Sequence, residues 1–265
     1  MVVRKQAEKR RQRRGSKAPT TSAAPTPTLL YGRHAVVAAL ANPARQCRCL
    51  WATADVMQTL EPTLLQAAAE RRPATREDLD ALVADGSHQG LALDAAPLPA
   101  RELGQVCRQV PGTKNLVLVL DQVTDPRNIG AIVRSAAAFG ARAVVMTDRH
   151  APAAVTGALA KTACGGIEHV ALVRVVNLAR ALDQLADLGY WRLGLDATAP
   201  GSLEQAAVAG FDNLALVLGA EGSGLRRLTA GRCDLTAHIP LAGAAQVASL
   251  NVAVAAAIAL YALVK

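Results

Sequence analysis

From Asn115 to the C-terminus, short apolar runs alternate with helical stretches, a rhythm that leaves few folds open. The runs are Leu116–Leu120, Ala143–Met146, Val170–Val173, Leu193–Leu195, Leu214–Leu218 and Leu235–Ile239. Each reads as a parallel strand buried on both faces. Helical patterns separate most of them, at Gly130–Phe139, Leu178–Leu188 and Val247–Leu263, and Gly140 and Gly189 stand where helix C-caps belong. The expectation for 115–265 is an α/β domain with a mainly parallel sheet. Ligands of such sheets bind at the carboxyl ends of the strands, so the residues just after each strand are the candidates for chemistry.

Residues 29–97 read as a smaller α/β unit. Helical periodicity runs through His34–Ala41, a strand fits Arg48–Ala52, and Val56–Arg71 is expected to be helical. Pro97-Leu98-Pro99 closes this unit, and 98–114 reads as a linker. Ahead of it, 1–28 reads as a disordered basic arm and linker. Between Arg4 and Lys17 stand eight bases against one acid, Glu8, which gives the arm +7 of the formal net charge of +8. Such runs are solvated and commonly contact nucleic acid, so the arm is a candidate RNA or DNA contact, with a solubility tag as the other reading.

Composition removes other classes. Five cysteines form no C-x-x-C pair, which points to free thiols in a reducing cytosol and to neither a disulfide framework nor a zinc site; no metal is expected. The N-terminus has no apolar core behind its bases, so it is not read as a secretory signal. The uncharged stretch Ala244–Val264 contains Gln246, Ser249 and Asn251 and is mostly Ala and Val, which insert weakly. It reads as a core or interface helix, and the protein as cytoplasmic.

Three strand ends carry polar loops. Asp121-Gln-Val-Thr-Asp-Pro-Arg-Asn-Ile-Gly130 follows the first strand and leads into a helix with Arg134. Gly219-Ala-Glu-Gly-Ser-Gly-Leu-Arg-Arg227 follows the fifth, and Ile239-Pro-Leu-Ala-Gly243 the sixth, with Ser249-Leu-Asn251 before the last helix. No G-x-x-x-x-G-K-[ST] string occurs, which excludes a P-loop NTPase. The glycines at 219, 222 and 224 are spaced G-x-x-G-x-G, not as a dinucleotide fingerprint.

The segments Asn128-Ile-Gly-Ala-Ile-Val-Arg134, Leu218-Gly-Ala-Glu-Gly-Ser-Gly-Leu225, and Ile239-Pro-Leu-Ala-Gly243 with Ser249-Leu-Asn-Val252 resemble the three motifs of the SpoU/TrmH family of RNA ribose methyltransferases, of the SPOUT class. Tyr31-Gly-Arg-His-Ala-Val36, His88-Gln-Gly90, Ala160-Lys-Thr-Ala-Cys-Gly165 and Val176-Asn-Leu-Ala-Arg180 extend the likeness over 29–265. They are similar to the branch that methylates a guanosine ribose of bacterial 23S rRNA. The resemblance implies an L30e-like RNA-binding domain at 29–97 and a deep trefoil knot within 115–265. It also implies S-adenosylmethionine as cofactor, 23S rRNA as partner, and a homodimer joined through the knot domain.

Carried over residue by residue, the cofactor would lie against Gly219, Ile239 and Leu250, with Ala220, Gly222 and Leu241 nearby. Glycines admit the main chain to the adenosine and apolar side chains sandwich the adenine. Plain core packing is the other reading of Ile239 and Leu250. Arg134 is the family's essential cation. A guanidinium keeps its proton, with a pKa above about 12, so its fitting role is to hold an RNA phosphate and stabilise the developing alkoxide. Phosphate or water then takes the proton. Asn128, Glu221, Asn251 and Ser249 complete the implied catalytic set, with Glu221 orienting Asn128 or Arg134. Asn128 also reads as a helix N-cap and Ser249 as a cap of the last helix. Arg127, Arg226 and Arg227 are candidate RNA contacts, or ordinary surface charge. His88 reads as part of a turn.

One departure stands out: five residues, Ala244 to Ala248, separate Gly243 from Ser249, where the family usually has three. Two other functions fit the same residues. One is a tRNA guanosine 2′-O-methyltransferase, the other a non-catalytic RNA-binding protein with the same fold.

Overall fold

The computed structural model describes residues 28–83, 87–149, 152, 155–242 and 249–264. The basic arm and the expanded stretch Ala244–Ala248 lie outside them.

The first unit comprises β1 (Thr28–Tyr31), α1 (Arg33–Ala41), β2 (Cys47–Ala52), α2 (Ala54–Thr59), α3 (Pro62–Gln66), β3 (Ala68–Pro73), α4 (Arg76–Leu82) and β4 (Leu91–Ala95). Its sheet runs β1-β4-β2-β3, with β4 antiparallel to β1 and β2 and β3 parallel to β2. The continuous helix expected over Val56–Arg71 is replaced by two short helices and a strand. Leu60 adopts an extended backbone (φ −83°, ψ 140°) and Glu61 does the same just before Pro62, as a residue preceding proline prefers. Beyond them, Ala68–Pro73 pairs with β2 and exposes every side chain except that of Ala68. An edge strand so polar carries no apolar alternation to read.

The second unit holds α5 (Leu103–Val106), β5 (Asn115–Leu120), α6 (Pro126–Ala138), β6 (Ala143–Thr147), α7 (Gly157–Ala163), β7 (Ala171–Val175), α8 (Leu178–Asp187) and β8 (Trp191–Leu195). It continues with β9 (Gly201–Ser202), α9 (Leu203–Ala209), β10 (Asn213–Leu218), α10 (Arg227–Ala230), β11 (Leu235–His238) and α11 (Val252–Val264). Seven strands lie in the order β7-β6-β5-β10-β8-β11-β9, every pair parallel. All six expected strands are present. The two-residue β9 is additional, too short to leave a pattern.

Both faces of the central strands are covered, which is why β5, β6 and β10 are apolar over nearly their whole length. Leu116, Leu118 and Leu120 point to one face with Ile129, Ile132, Val133, Ala256 and Leu260; Val117 and Val119 point to the other with Leu178, Leu182 and Leu185. The stretch 98–114 is more than a linker. It forms α5, and Leu103 and Cys107 are buried in the core under α8. Gly140 and Gly189 do follow helix ends, at φ +72° and +79°. Among the described residues, no helix is long and apolar enough to cross a membrane.

The two units meet along α7 and the 3-10 turn Gly166–Glu168. Glu168 accepts bonds from Arg45 (2.5 Å to one guanidinium nitrogen and 3.2 Å to Nε) and from Asn42 Nδ2 (2.7 Å). Their side chains are 1% (Arg45) and 4% (Glu168) exposed. Removing one partner of a buried pair strands the other. Glu168→Ala is therefore expected to destabilise the protein by about 3–5 kcal/mol, lowering the melting temperature by roughly 10 °C. The apolar double variant Arg45→Met/Glu168→Leu should recover most of that in a thermal melt. A single variant that melts with the wild type would mean that the pair does not hold the units together.

Candidate active site

Where the sheet order reverses, β5 lies beside β10 with Leu120 opposite Leu218. The residues after them, Asp121 and Gly219, therefore emerge side by side at the carboxyl edge. Leu218 also pairs with Leu195, and Leu195 with Ala237, which brings Asp196 and Ile239 to the same edge.

Asp125 caps α6 by accepting from the Arg127 amide at 2.9 Å, so the helix begins four residues earlier than its apolar pattern suggests. This corrects the capping reading of Asn128, which lies inside the first turn with its amide free for other work. That amide donates to Glu221 Oε1 at 3.0 Å. Asn251 Nδ2 reaches the same oxygen at 2.5 Å and Asn128 Oδ1 at 3.0 Å, and the Val252 amide reaches Glu221 Oε1 at 3.3 Å. One carboxylate oxygen thus gathers donors from two elements, and a carboxylate accepts such bonds more strongly than a neutral group. Asn251 Oδ1 in turn accepts from the amides of Ala253 (3.0 Å) and Val254 (3.3 Å). Asn251, not Ser249, caps α11, and the helix starts at Val252 rather than Val247.

The loop 219–224 closes on itself, with the Gly224 amide donating to the Ala220 carbonyl at 3.0 Å. A Cβ at Gly219 would collide with the main chain of Gly224, and it would stand 2.5 Å from the Leu225 nitrogen. Gly222 and Gly224 hold φ +82° and +61°, where glycine alone is unstrained. The result is a loop whose main-chain groups are bare of side chains at positions 219, 222 and 224. Ile239 and Leu250 are half-buried and Leu241 is 47% exposed, so none of the three is spent wholly on the core.

Arg134 is exposed on α6, seven residues beyond Arg127 and hence on the same helix face. It has no hydrogen bond or ion pair among the described residues, so Glu221 orients Asn128 and not Arg134. Arg226 is not a free cation. Its Nε and a terminal nitrogen each stand 2.6 Å from Asp121 Oδ1, and its amide donates to Oδ2 at 3.1 Å. Arg227 and Ser249 are both exposed. His88 accepts from the Gly90 amide at 3.0 Å in a turn with Gln89 at φ +54°.

Asp121 is fully buried and belongs to the site, although no motif singles it out. Its signal was there, a carboxylate placed directly after the first strand of the sheet. By tying Arg226 down, it fixes the far end of the 219–224 loop. Asp121→Ala should cost about 2 kcal/mol, roughly 4–8 °C in melting temperature, and should weaken cofactor binding as well. Cofactor affinity equal to wild type would confine Asp121 to stability. Burial pushes the Cys107 and Cys233 thiols up to about 11, so they stay protonated near neutrality and supply no nucleophile.

Residues 115–261 match the model of the SpoU rRNA Methylase family, and residues 29–100 match that of the RNA 2′-O ribose methyltransferase substrate-binding domain. The chain belongs to the SpoU rRNA methylase family. As a member of the SpoU family it is a methyltransferase. It is 38% identical over 242 residues to the 23S rRNA (guanosine-2′-O-)-methyltransferase RlmB of Pseudomonas putida, spanning 88% of this chain and 94% of that one. An uncharacterized tRNA/rRNA methyltransferase of Synechocystis is 39% identical over 88% of this SpoU chain, which spans 61% of that protein's length. The fold matches AviRb, a SpoU methyltransferase of Streptomyces viridochromogenes solved with AdoMet, at a TM-score of 0.72 and 24% identity, covering 90% and 89% of the two chains.

Proposed function

We propose that the protein transfers the methyl group of S-adenosylmethionine to the 2′-hydroxyl of a guanosine ribose in 23S rRNA. The observation that carries this is the junction of Asn128, Glu221 and Asn251 on one carboxylate oxygen, beside a side-chain-free glycine loop at the carboxyl edge of the sheet. The kinship with RlmB supplies the substrate.

Bound S-adenosylmethionine would supply an electrophilic methyl on a sulfonium. The main chain of 219–224 would cradle it, with Ile239, Leu241 and Leu250 against the adenine. Glu221 locks Asn128 and Asn251 so that α6 and α11 keep a fixed spacing around the reacting ribose. Arg134, with no carboxylate partner among the described residues, holds an RNA phosphate and stabilises the alkoxide as the 2′-hydroxyl loses its proton to a phosphate oxygen or water. Arg127 and Arg227 meet flanking phosphates, as does the basic arm.

The deep knot belongs to this reading. β11 lies on the far side of β8 from β5, while Asn251, ahead of α11, bonds Asn128 on α6; both observations support the knotted reading. The L30e-like character of the first unit belongs to the functional reading too. A homodimer does as well: Val254, Ile258 and Tyr261 form an exposed apolar stripe along α11, 48%, 38% and 57% exposed, next to the site. An enzyme of this kind works where ribosomes are made, in the cytoplasm.

The test is transfer of labelled methyl from S-adenosylmethionine to unmodified 23S rRNA, with unmodified tRNA alongside. Label on 23S rRNA alone supports the reading. Label on tRNA alone overturns the substrate, and label on neither overturns the activity.

A further inference from the structure

Three strings far apart in the sequence, Tyr31-Gly-Arg-His34, His88-Gln-Gly90 and Ala160-Lys-Thr-Ala-Cys-Gly165, have no part in the site described above. The fold brings them together. The Arg33 amide donates to Gln89 Oε1 at 2.9 Å. Lys161 Nζ stands 5.8 Å from the centroid of the Tyr31 ring. A Cβ at Gly32 would meet Gln89 Oε1 at 3.5 Å and Lys161 Cγ at 3.6 Å.

The same junction abuts α6. A Cβ at Gly165 would lie 2.6 Å from Ala38 Cβ and 3.3 Å from the His34 carbonyl; one at Gly166 would lie 3.3 Å from Arg134 Cα. Two consecutive glycines thus span from α1 to α6, and the His34 carbonyl is at most about 13 Å from Arg134 Cα. Arg33, His34 and Arg134 are exposed and Lys161 is half-buried. Among the described residues none of the four has a carboxylate partner, whereas Arg45, Arg48, Arg192, Arg226 and Arg232 all do. Arg33, Lys161 and Arg134 are cations without a carboxylate on three neighbouring elements, with the His34 ring beside them, a set that suits contacts to phosphates.

We propose that Arg33, His34 and Lys161 form a phosphate-binding seam at the junction of the two units, which carries the RNA strand next to the methylated ribose into register with Arg134. The inference rests on the functional reading above and deepens it. The first unit then contributes to catalysis by docking rigidly: its cations are set relative to Arg134 by Gly165 and Gly166, too closely packed for a side chain. Lys161 and its neighbours are positioning residues, and they touch neither the cofactor nor the reacting atoms.

The experiment measures binding of the full chain to unmodified 23S rRNA over a series of salt concentrations, with methyl transfer and cofactor titration on the same preparations. Lys161→Met keeps the aliphatic packing on Tyr31 and removes the charge; Lys161→Arg keeps the charge. Arg33→Gln completes the set, and Arg180→Gln, on the helix across the sheet, is the control. Lys161→Met and Arg33→Gln should each bind RNA about tenfold more weakly and lower the salt slope by about 0.7–0.9. Both should raise KM with kcat and cofactor affinity near wild type, while Lys161→Arg and Arg180→Gln bind as wild type. Unchanged RNA affinity in both neutral variants overturns the seam, as does an equal loss in Lys161→Arg, which would make Lys161 a packing residue. A wild-type protein that methylates neither 23S rRNA nor tRNA removes the functional reading and the seam with it; normal methylation by the neutral variants removes the seam alone.

Discussion

Replacing Arg134 with alanine is expected to reduce methyl transfer by about 10²–10³-fold, the cost of losing one group that stabilises developing negative charge. The fold should not suffer. Arg134 is exposed and makes no hydrogen bond or ion pair among the described residues, so its removal strands no partner. Cofactor affinity should also hold, because the glycine loop lies on β10 while Arg134 projects from α6 beyond Asn128. Arg134→Lys should recover little, since a lysine ammonium cannot offer two parallel donors to a phosphate or ribose oxygen. The check is single-turnover transfer with saturating cofactor, together with a melting curve. An alanine variant within tenfold of wild type would remove Arg134 from the chemistry and leave Asn128 and Asn251 as the groups at the ribose.

The second large effect is at Gly219. An alanine methyl there has no space, because the main chain of Gly224 and Leu225 occupies it and neither can yield without opening the loop. Overpacking of this kind costs about 1–3 kcal/mol, so cofactor affinity should fall roughly 5- to 150-fold. Gly222 is the internal comparison. A Cβ there meets nothing within 4 Å, and its penalty comes only from φ +82°. Gly222→Ala should therefore cost about 1–2 kcal/mol of local backbone strain without blocking the loop's closure. Calorimetric titration with S-adenosylmethionine separates the two. Equal affinities for both variants would mean that loop closure at Gly219 does not shape the cofactor site.

The parallel sheet was legible in the sequence because strands covered on both faces are apolar at nearly every position, and six largely apolar runs stand between residues 116 and 239. The polar edge strand β3 was not, since five of its six side chains face solvent. Helix starts were missed for a related reason. Pro126 to Ile129 and the turn before Val252 are set by caps, Asp125 and Asn251, and caps leave a weaker mark than an apolar face. At the site, Asn128, Glu221 and Asn251 were each readable as candidates, but their meeting on one carboxylate oxygen depends on the register of β5 with β10. Asp121 and its bond to Arg226 were hidden for the same reason: 105 positions separate the two in the chain. The buried pair of Arg45 and Glu168 lies between units whose docking no periodicity records.

The account stands on ribose methylation of guanosine, and the most direct test is nucleoside analysis of the product. Unmodified 23S rRNA treated with the protein and labelled S-adenosylmethionine is digested to nucleosides, which are separated by chromatography and fragmented to show whether the label is on the base or the ribose. The account predicts label in 2′-O-methylguanosine alone, formed about 10²–10³-fold more slowly by the Arg134→Ala variant. Label in a base-methylated nucleoside, or in the 2′-O-methyl derivative of another base, would contradict it.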